Sequence, residues 1–222
     1  MCLLWKGNFR KRDYKESDVE LLRQTVAKHI DRPFRFYCLT NDMNADIPAE
    51  KIELLHDWPG WWSKVELFRP DLPCGRTLYL DLDTHIIKGL QPILDTQGDL
   101  VMFPSPELDK KGNVHINTKD GLKIVKYQAG TMLFTPGKLT WVYDKFRKDA
   151  DRLMNKYRSE QDIYADWLPH QPTFKREWIT KINTVIKRKT VNNKTIVVTG
   201  NPKNMSFRNP DPVPWLDKIA RE

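Results

Sequence analysis

Thr77-Leu78-Tyr79-Leu80-Asp81-Leu82-Asp83 is the most strand-like stretch of the chain, an apolar run that ends in two acids. As a strand running through Asp83 it alternates, so Leu78, Leu80 and Leu82 face one way and Tyr79, Asp81 and Asp83 the other. Two carboxylates on one face repel each other unless a cation or hydrogen-bond donors stand between them. In parallel α/β sheets ligands bind at the carboxyl end of the strands. Two hard oxygen ligands there suit Mn2+ or Mg2+, and such a cation suits a diphosphate. The plainer alternative is that both acids mark where the strand reaches solvent.

The flanking pattern is that of an α/β protein. Cys2-Leu3-Leu4-Trp5 reads as a buried first strand, and Ser17-Asp18-Val19-Glu20 as a capping box with Ser17 as the cap. Val19, Leu22, Val26 and Ile30 continue a helix that Arg32-Pro33 ends. Strands are expected over 34–40 and 51–55, and a short helix from Pro59-Gly60 to Phe68. Later strands are expected at 100–103, 131–134, 184–190 and 195–199. Trp141 to Met154 reads as one amphipathic helix and Ser159 to Trp167 as another. The Lys-, Asp- and Gly-rich excursion after Phe103 and the extended tail with Pro210, Pro212 and Pro214 complete the chain. Strands alternating with helices predict a single α/β domain over 1–222 with a mostly parallel, Rossmann-like sheet flanked by helices.

Composition narrows the class. A chain of 222 residues buries roughly 70–75% of its unfolded surface and needs no disulfide or metal to hold a core. Three cysteines, Cys2, Cys38 and Cys74, exclude a four-cysteine zinc site, and their spacing argues against a disulfide scaffold. No apolar run nears the roughly 18 residues of a membrane span, and no signal-peptide pattern opens the sequence, so a soluble, cytoplasmic protein without an obligate protein partner is expected. The net charge of +8 is uneven: residues 1–100 carry −2 and residues 101–222 carry +10. Such asymmetry points to an anionic partner for the second half, or to a solvated basic surface.

Gly60-Trp61-Trp62-Ser63-Lys64-Val65-Glu66-Leu67-Phe68 followed by Leu78-Tyr79-Leu80-Asp81-Leu82-Asp83-Thr84 resembles the metal-dependent glycosyltransferases of GT-A fold, closest to their glycogenin and lipopolysaccharide-galactosyltransferase-like branch. The resemblance implies that Asp81 and Asp83 bind a divalent metal and the diphosphate of a UDP-sugar, with Lys64 a donor contact. Trp5 and Lys6 then lie where the base and ribose of the donor sit. Tyr127-Gln128-Ala129-Gly130-Thr131-Met132 resembles the family's "N-x-G" strand, which puts Gln128 and Gly130 near donor sugar and acceptor. Glu160-Gln161-Asp162 resembles its "DQD" helix start, making Asp162 or Gln161 the group beneath the anomeric carbon. Val198-Thr199-Gly200-Asn201-Pro202-Lys203 resembles its late "H-x-G-x-x-K-P" segment, with Gly200 and Lys203 on the diphosphate. That segment departs from the pattern, because Val198 stands where the family has a metal-binding histidine.

The resemblance makes residues up to about 100 the nucleotide-sugar half and about 101–222 the acceptor side. There Lys110-Lys111, Lys145, Arg147-Lys148, Arg152, Lys156, Arg158, Lys175-Arg176 and Lys187-Arg188-Lys189 interleave with Tyr157, Phe174 and Trp178. Basic residues among aromatics suit a nucleic-acid groove. The expected acceptor is therefore DNA, as in the bacteriophage enzymes that glycosylate 5-hydroxymethylcytosine, with the host cytoplasm as the setting. A surface or lipid-linked glycan is the alternative acceptor. Outside the class stand a haloacid-dehalogenase-like phosphatase, which also places Asp-x-Asp after an apolar strand, and a non-catalytic nucleic-acid-binding protein. Trp61, Trp62 and His85 are weaker candidates, and no Gly-rich phosphate loop or Ser/His/Asp signature occurs.

Overall fold

Cys2, Leu3 and Leu4 offer no polar face, and the protein buries all three. A computed structural model describes residues 1–10, 14–104, 115–117, 123–125 and 127–200. In order come β1 (Cys2–Leu4), α1 (Glu16–Lys28), β2 (Tyr37–Thr40), β3 (Glu50–Glu53), a 3-10 helix (Gly60–Phe68), β4 (Thr77–Leu80), β5 (Thr84–Ile86), α2 (Gln91–Leu94) and β6 (Leu100–Pro104). They are followed by β7 (His115–Asn117), β8 (Lys123–Val125), β9 (Tyr127–Phe134), α3 (Thr140–Arg147), α4 (Ala150–Lys156) and α5 (Glu160–Trp167). A 3-10 turn (Arg176–Trp178), β10 (Ile179–Lys181), α6 (Ile182–Arg188) and β11 (Val197–Thr199) follow.

Strands β1, β2 and β3 are parallel, with Cys2 opposite Cys38 and Cys38 opposite Lys51. Met1 carries this layer onto β4. Its amine donates to Leu78 O at 2.8 Å, and its carbonyl accepts from Leu80 N–H at 3.0 Å, the offset pattern of parallel neighbours. So β3, β2, β1 and β4 run one way, while β9 lies antiparallel between β4 and β6. A second small sheet has β11 between β10, to which it is parallel, and β5, to which it is antiparallel. The expected mostly parallel sheet is corrected to a mixed one. The cause is β9, which returns alongside both β4 and β6 and must run against them.

Apolar side chains bury on both faces of these strands. One core gathers Trp58, Trp62, Phe68, Phe134, Phe146 and Tyr164. The other gathers Leu22, Val26, Leu80, Leu90, Phe103 and Phe174.

Several local expectations need correction. Helix α1 begins at Glu16, and it is Asp18, not Ser17 or Glu20, that closes its first turn by accepting Lys15 N–H at 2.7 Å. Its last residue is Lys28, short of Arg32-Pro33. The helix expected over 141–154 breaks at Lys148-Asp149 into α3 and α4. The strand expected over 184–190 is the helix α6, because Ile182 and Val185, three apart, both pack on Ile87 and Val198, and that packing overrides β propensity. The tail beyond Gly200, Lys203 included, lies outside the described residues, as do Lys110-Lys111 and most of the polar excursion. Among the described residues no helix is long and apolar enough to cross a membrane.

The 3-10 helix is anchored by Glu66, which is fully buried and accepts from Leu55 N–H (2.8 Å), His56 N–H (3.0 Å) and Arg69 Nη1 (2.7 Å). Arg69 in turn donates to Glu53 O at 2.7 Å, tying this helix to the end of β3. Removing one partner of such a buried pair costs about 3–5 kcal/mol. Glu66→Ala is therefore expected to lower the melting temperature by on the order of 10 °C. Urea and thermal unfolding check this, and a loss of under ~1 kcal/mol would contradict the anchoring role.

Candidate active site

In the strand order β3-β2-β1-β4-β9 the turn that follows β4 lies beside the end of β1, where Leu3 and Trp5 line one hollow with Asp81 and Leu82. Open α/β sheets bind ligands at the carboxyl ends of their strands. Strand β4 stops at Leu80 rather than continuing to Asp83, so the alternation argument for the two acids is corrected. They instead sit in a turn, with Thr84 N–H donating to Asp81 O at 3.1 Å, and the turn still brings both into one cleft. That cleft, of about 240 Å³, is lined by Trp61, Lys64, Asp81, Asp83, Gln128, Gly130, Ser159, Glu160, Gln161, Thr199 and Gly200.

At its floor Lys64 Nζ lies 2.7 Å from Asp81 Oδ1 and 2.8 Å from Oδ2, and 3.3 Å from Glu160 Oε1. Tyr79, almost wholly buried, donates its hydroxyl to Asp81 Oδ1 at 2.7 Å. Burial works to lower Lys64, but the Asp81 and Glu160 carboxylates outweigh it and hold the ammonium above the usual lysine range. Burial pushes Glu160 up, against the opposing pull of Lys64. Burial likewise raises Tyr79 and Tyr164 well above the usual phenol range. Among the described residues that line the cleft, Lys64 is the one cation beside Asp81, Asp83 and Glu160, which when all are ionised leaves an excess of two negative charges that suits a divalent cation.

No group of three or more His, Cys, Asp or Glu side chains among the described residues is arranged to hold a metal. The donor set in the cleft is Asp81 and Asp83, with hydroxyl and amide oxygens beside them. This fits Mg2+ or Mn2+, which bind through one or two carboxylates and complete their shell with phosphate and water. Gln128 donates to Thr199 Oγ1 at 2.7 Å, leaving Gln128 Oε1 buried without a donor among the described residues. Gly200 has φ +98° and donates its N–H to Asp83 O at 3.3 Å, which a residue with a side chain would do only under strain.

The other candidates divide. Trp5 lines a smaller hollow of about 50 Å³ beside the cleft, with Leu3, Phe9, Trp61, Lys64 and Asp81. Its Nε1 is buried with no acceptor among the described residues. Lys6 faces away, its ammonium 2.8 Å from Glu16 and its backbone held by Asn41. Asp162 is not in the cleft. Its carboxylate accepts Arg158 N–H at 3.3 Å, a first-turn bond at the start of α5, whereas Gln161 faces inward. Val198 packs in a small apolar cluster with Ile87, Ile182 and Val185, and Thr199 is the β11 residue that reaches the cleft. Trp62 is core, and His85 pairs across the strands with Val198. Sequence reasoning gave no role to Glu160 or Tyr79. The fully apolar neighbours of Tyr79 disguise it as packing, and an acid at a helix start reads as an ordinary dipole partner.

No family model and no curated protein matches the chain. Solved structures do. The galactosyltransferase LgtC, in complex with donor and acceptor sugar analogs, superposes with a TM-score of 0.62 at 14% identity over 100% of this chain and 95% of that one. The glycosyltransferase GlyE of Streptococcus pneumoniae TIGR4 gives 0.63 at 12% identity over 99% of this chain and 62% of its own. The bifunctional glycosyltransferase WbbM gives 0.56 at 13% identity over 91% and 46%. The fold is thus GT-A-like: α/β, with mixed sheets flanked by helices.

Gly130 leaves room for the floor of the cleft. A Cβ there would stand 3.0 Å from Asp81 Oδ2. If Asp81 holds a divalent cation beside a nucleotide, Gly130→Ala is expected to keep the fold while weakening Mn2+ binding in the presence of UDP by about tenfold or more. Calorimetric titration reads the change, and an unaltered affinity would count against Asp81 as a cation ligand.

Proposed function

We propose that the protein is a glycosyltransferase that moves a hexosyl or N-acetylhexosaminyl group from a UDP-sugar to a hydroxyl acceptor. The observation that carries this is the convergence of Asp81, Asp83, Lys64, Gln128, Gly130, Gln161 and Gly200 on one cleft of a GT-A-like fold. A divalent cation held by Asp81 and Asp83 supplies positive charge where the diphosphate leaves. Lys64 and the Gly200 backbone complete the polar wall, and Lys203, three residues beyond Gly200, is a further phosphate partner as a point charge. Trp5 is the proposed partner of the base, a reading supported by its indole N–H, which is buried beside the cleft without an acceptor among the described residues. Gln161, not Asp162, is the group that lines the cleft and steadies the sugar as positive charge builds at its anomeric carbon.

For the acceptor we propose 5-hydroxymethylcytosine in DNA. The support is the basic second half, with Arg158 adjoining the cleft residue Ser159 and Lys145 and Lys156 paired with no carboxylate among the described residues. An enzyme acting on a base inside a duplex has to extrude it first. A glycan acceptor is the second reading, favoured by the sugar-analog acceptor of LgtC. The named structures that share this fold are glycosyltransferases, and the phosphatase alternative is set aside.

The test is nucleoside mass spectrometry after incubation with Mn2+, a pool of UDP-sugars and duplex DNA carrying hydroxymethylated or ordinary cytosine. A sugar added only to the modified base is expected, at a rate that falls steeply with salt. UDP release without a DNA adduct would move the acceptor to a glycan, and the absence of both UDP release and adduct would sink the transferase reading. Asp83→Asn is expected to reduce transfer by about 10²-fold or more while DNA binding persists. Gln161→Ala should lower kcat well beyond the effect of Asp162→Ala, and the reverse order would restore Asp162 to the reaction.

A further inference from the structure

Lys64 is shared unequally. Its ammonium makes close contacts with both oxygens of Asp81, whereas Glu160 Oε1 is 3.3 Å away and neither Glu160 oxygen completes a hydrogen bond among the described residues. Glu160 is nonetheless fully buried at the first turn of α5. A buried carboxylate left with half a partner is costly, and a second arrangement in which the partner is complete would relieve that cost. Asp81 is crowded by comparison. A carboxylate offers about four acceptor positions, and Lys64 and Tyr79 already use three of those on Asp81. A divalent cation arriving at Asp81 meets an ammonium of the same sign on the same oxygens.

We infer that Glu160 is a second seat for Lys64: the ammonium holds Asp81 in the unloaded protein and moves to Glu160 when Asp81 takes a divalent cation. The ammonium already stands between the two acids, 2.7 Å from Asp81 Oδ1 and 3.3 Å from Glu160 Oε1. Glu160 is then a positioning residue. In this role it takes in the charge that the cation displaces and so keeps Lys64 beside the cleft rather than expelled from it. Lys64 serves as a stand-in cation that keeps Asp81 and Asp83 from repelling each other before the site is loaded. This rests on the proposal that Asp81 and Asp83 bind a divalent cation.

The test measures Mn2+ affinity directly, from the free-ion paramagnetic resonance signal in the presence of saturating UDP, with no acceptor and no turnover. Glu160→Gln removes the second seat and is expected to raise the Mn2+ Kd by about 10- to 100-fold. Lys64→Met removes the competing ammonium, and in that background Glu160→Gln is expected to leave the Kd within about twofold, as for sites that no longer interact. An equal loss in both backgrounds would mean that Glu160 acts on the cation itself, and no loss in either would mean that Lys64 needs no second seat. Both overturn the inference. If Glu160→Gln does not fold, Glu160→Asp, which withdraws the carboxylate by one methylene, is expected to weaken binding in the same direction. Failure of the wild-type protein to bind Mn2+ with UDP defeats the metal reading and this inference together. The expected pattern of affinities without sugar transfer leaves the inference standing and defeats the transferase reading alone.

Discussion

The contact between Lys64 and Asp81 is the constraint around which the centre of the protein is arranged. It joins the 3-10 helix to the end of β4, and both side chains are mostly removed from water. Charges so placed are stable only when geometry and further hydrogen bonds offset their lost hydration. The surroundings supply this. Tyr79 donates from within the strand, Gly130 on the neighbouring strand leaves space for the carboxylate, and its carbonyl accepts the Asp81 N–H at 2.8 Å. Helix α5 packs against β9 and the 3-10 helix, which delivers Glu160 to the other side of the ammonium. Remove the pair, and β4, β9, α5 and the 3-10 helix lose the polar reason for meeting at one point.

Much of this was legible because it depends on short-range pattern. The apolar run into Asp81 and Asp83, the Gly60 helix start and the order of the later motifs all map onto the cleft. What escaped depends on tertiary context. Where β4 ends is decided by the turn in which Asp81 O accepts the Thr84 N–H, although Asp81 N–H still bonds to Gly130 O on the facing strand; neither is visible in a strand-like string. Thr184, Val185 and Ile186 are β-branched, yet their segment is helical because Ile182 and Val185 fill one apolar cluster. Asp162 and Gln161 are adjacent in sequence but about 100° apart around a helix, so a motif match names the pair without saying which faces the cleft.

Composition misleads in a similar way at the basic second half. Phe174 is nearly inaccessible and packs at 4.7 Å on Phe103, so it is core rather than a stacking platform. Arg147 is paired with Asp144 on its own helix, and Arg152 with Asp149, the residue just before its helix. Lys145 lies 4.1 Å from the Trp167 ring, and Lys156 and Lys175 cover Tyr157 and Trp178. The rings and cations that looked interleaved along the chain are therefore largely satisfied by one another. What is left for a long anionic partner is the set of cations with no carboxylate among the described residues, and of these Arg158 adjoins the cleft residue Ser159. An electrostatic footprint has to be counted after this internal pairing.

The one-residue difference between Val198 and Thr199 has a larger consequence. Side chains on β11 alternate, and the register with β5 sets Thr199 opposite Thr84 and Val198 opposite His85. A valine at position 198 therefore costs the cleft nothing, because that position faces Ile87, Ile182 and Val185. The residue that faces the carboxylates offers a hydroxyl, and Gln128 already donates to it. On the proposed reading the protein contributes two carboxylates and at most a weak third oxygen. Such a set leaves most of the shell of a hard cation to phosphate and water. Cation and nucleotide would then bind as a unit, each incomplete without the other, and in the unloaded cleft Lys64 would offset part of the excess negative charge.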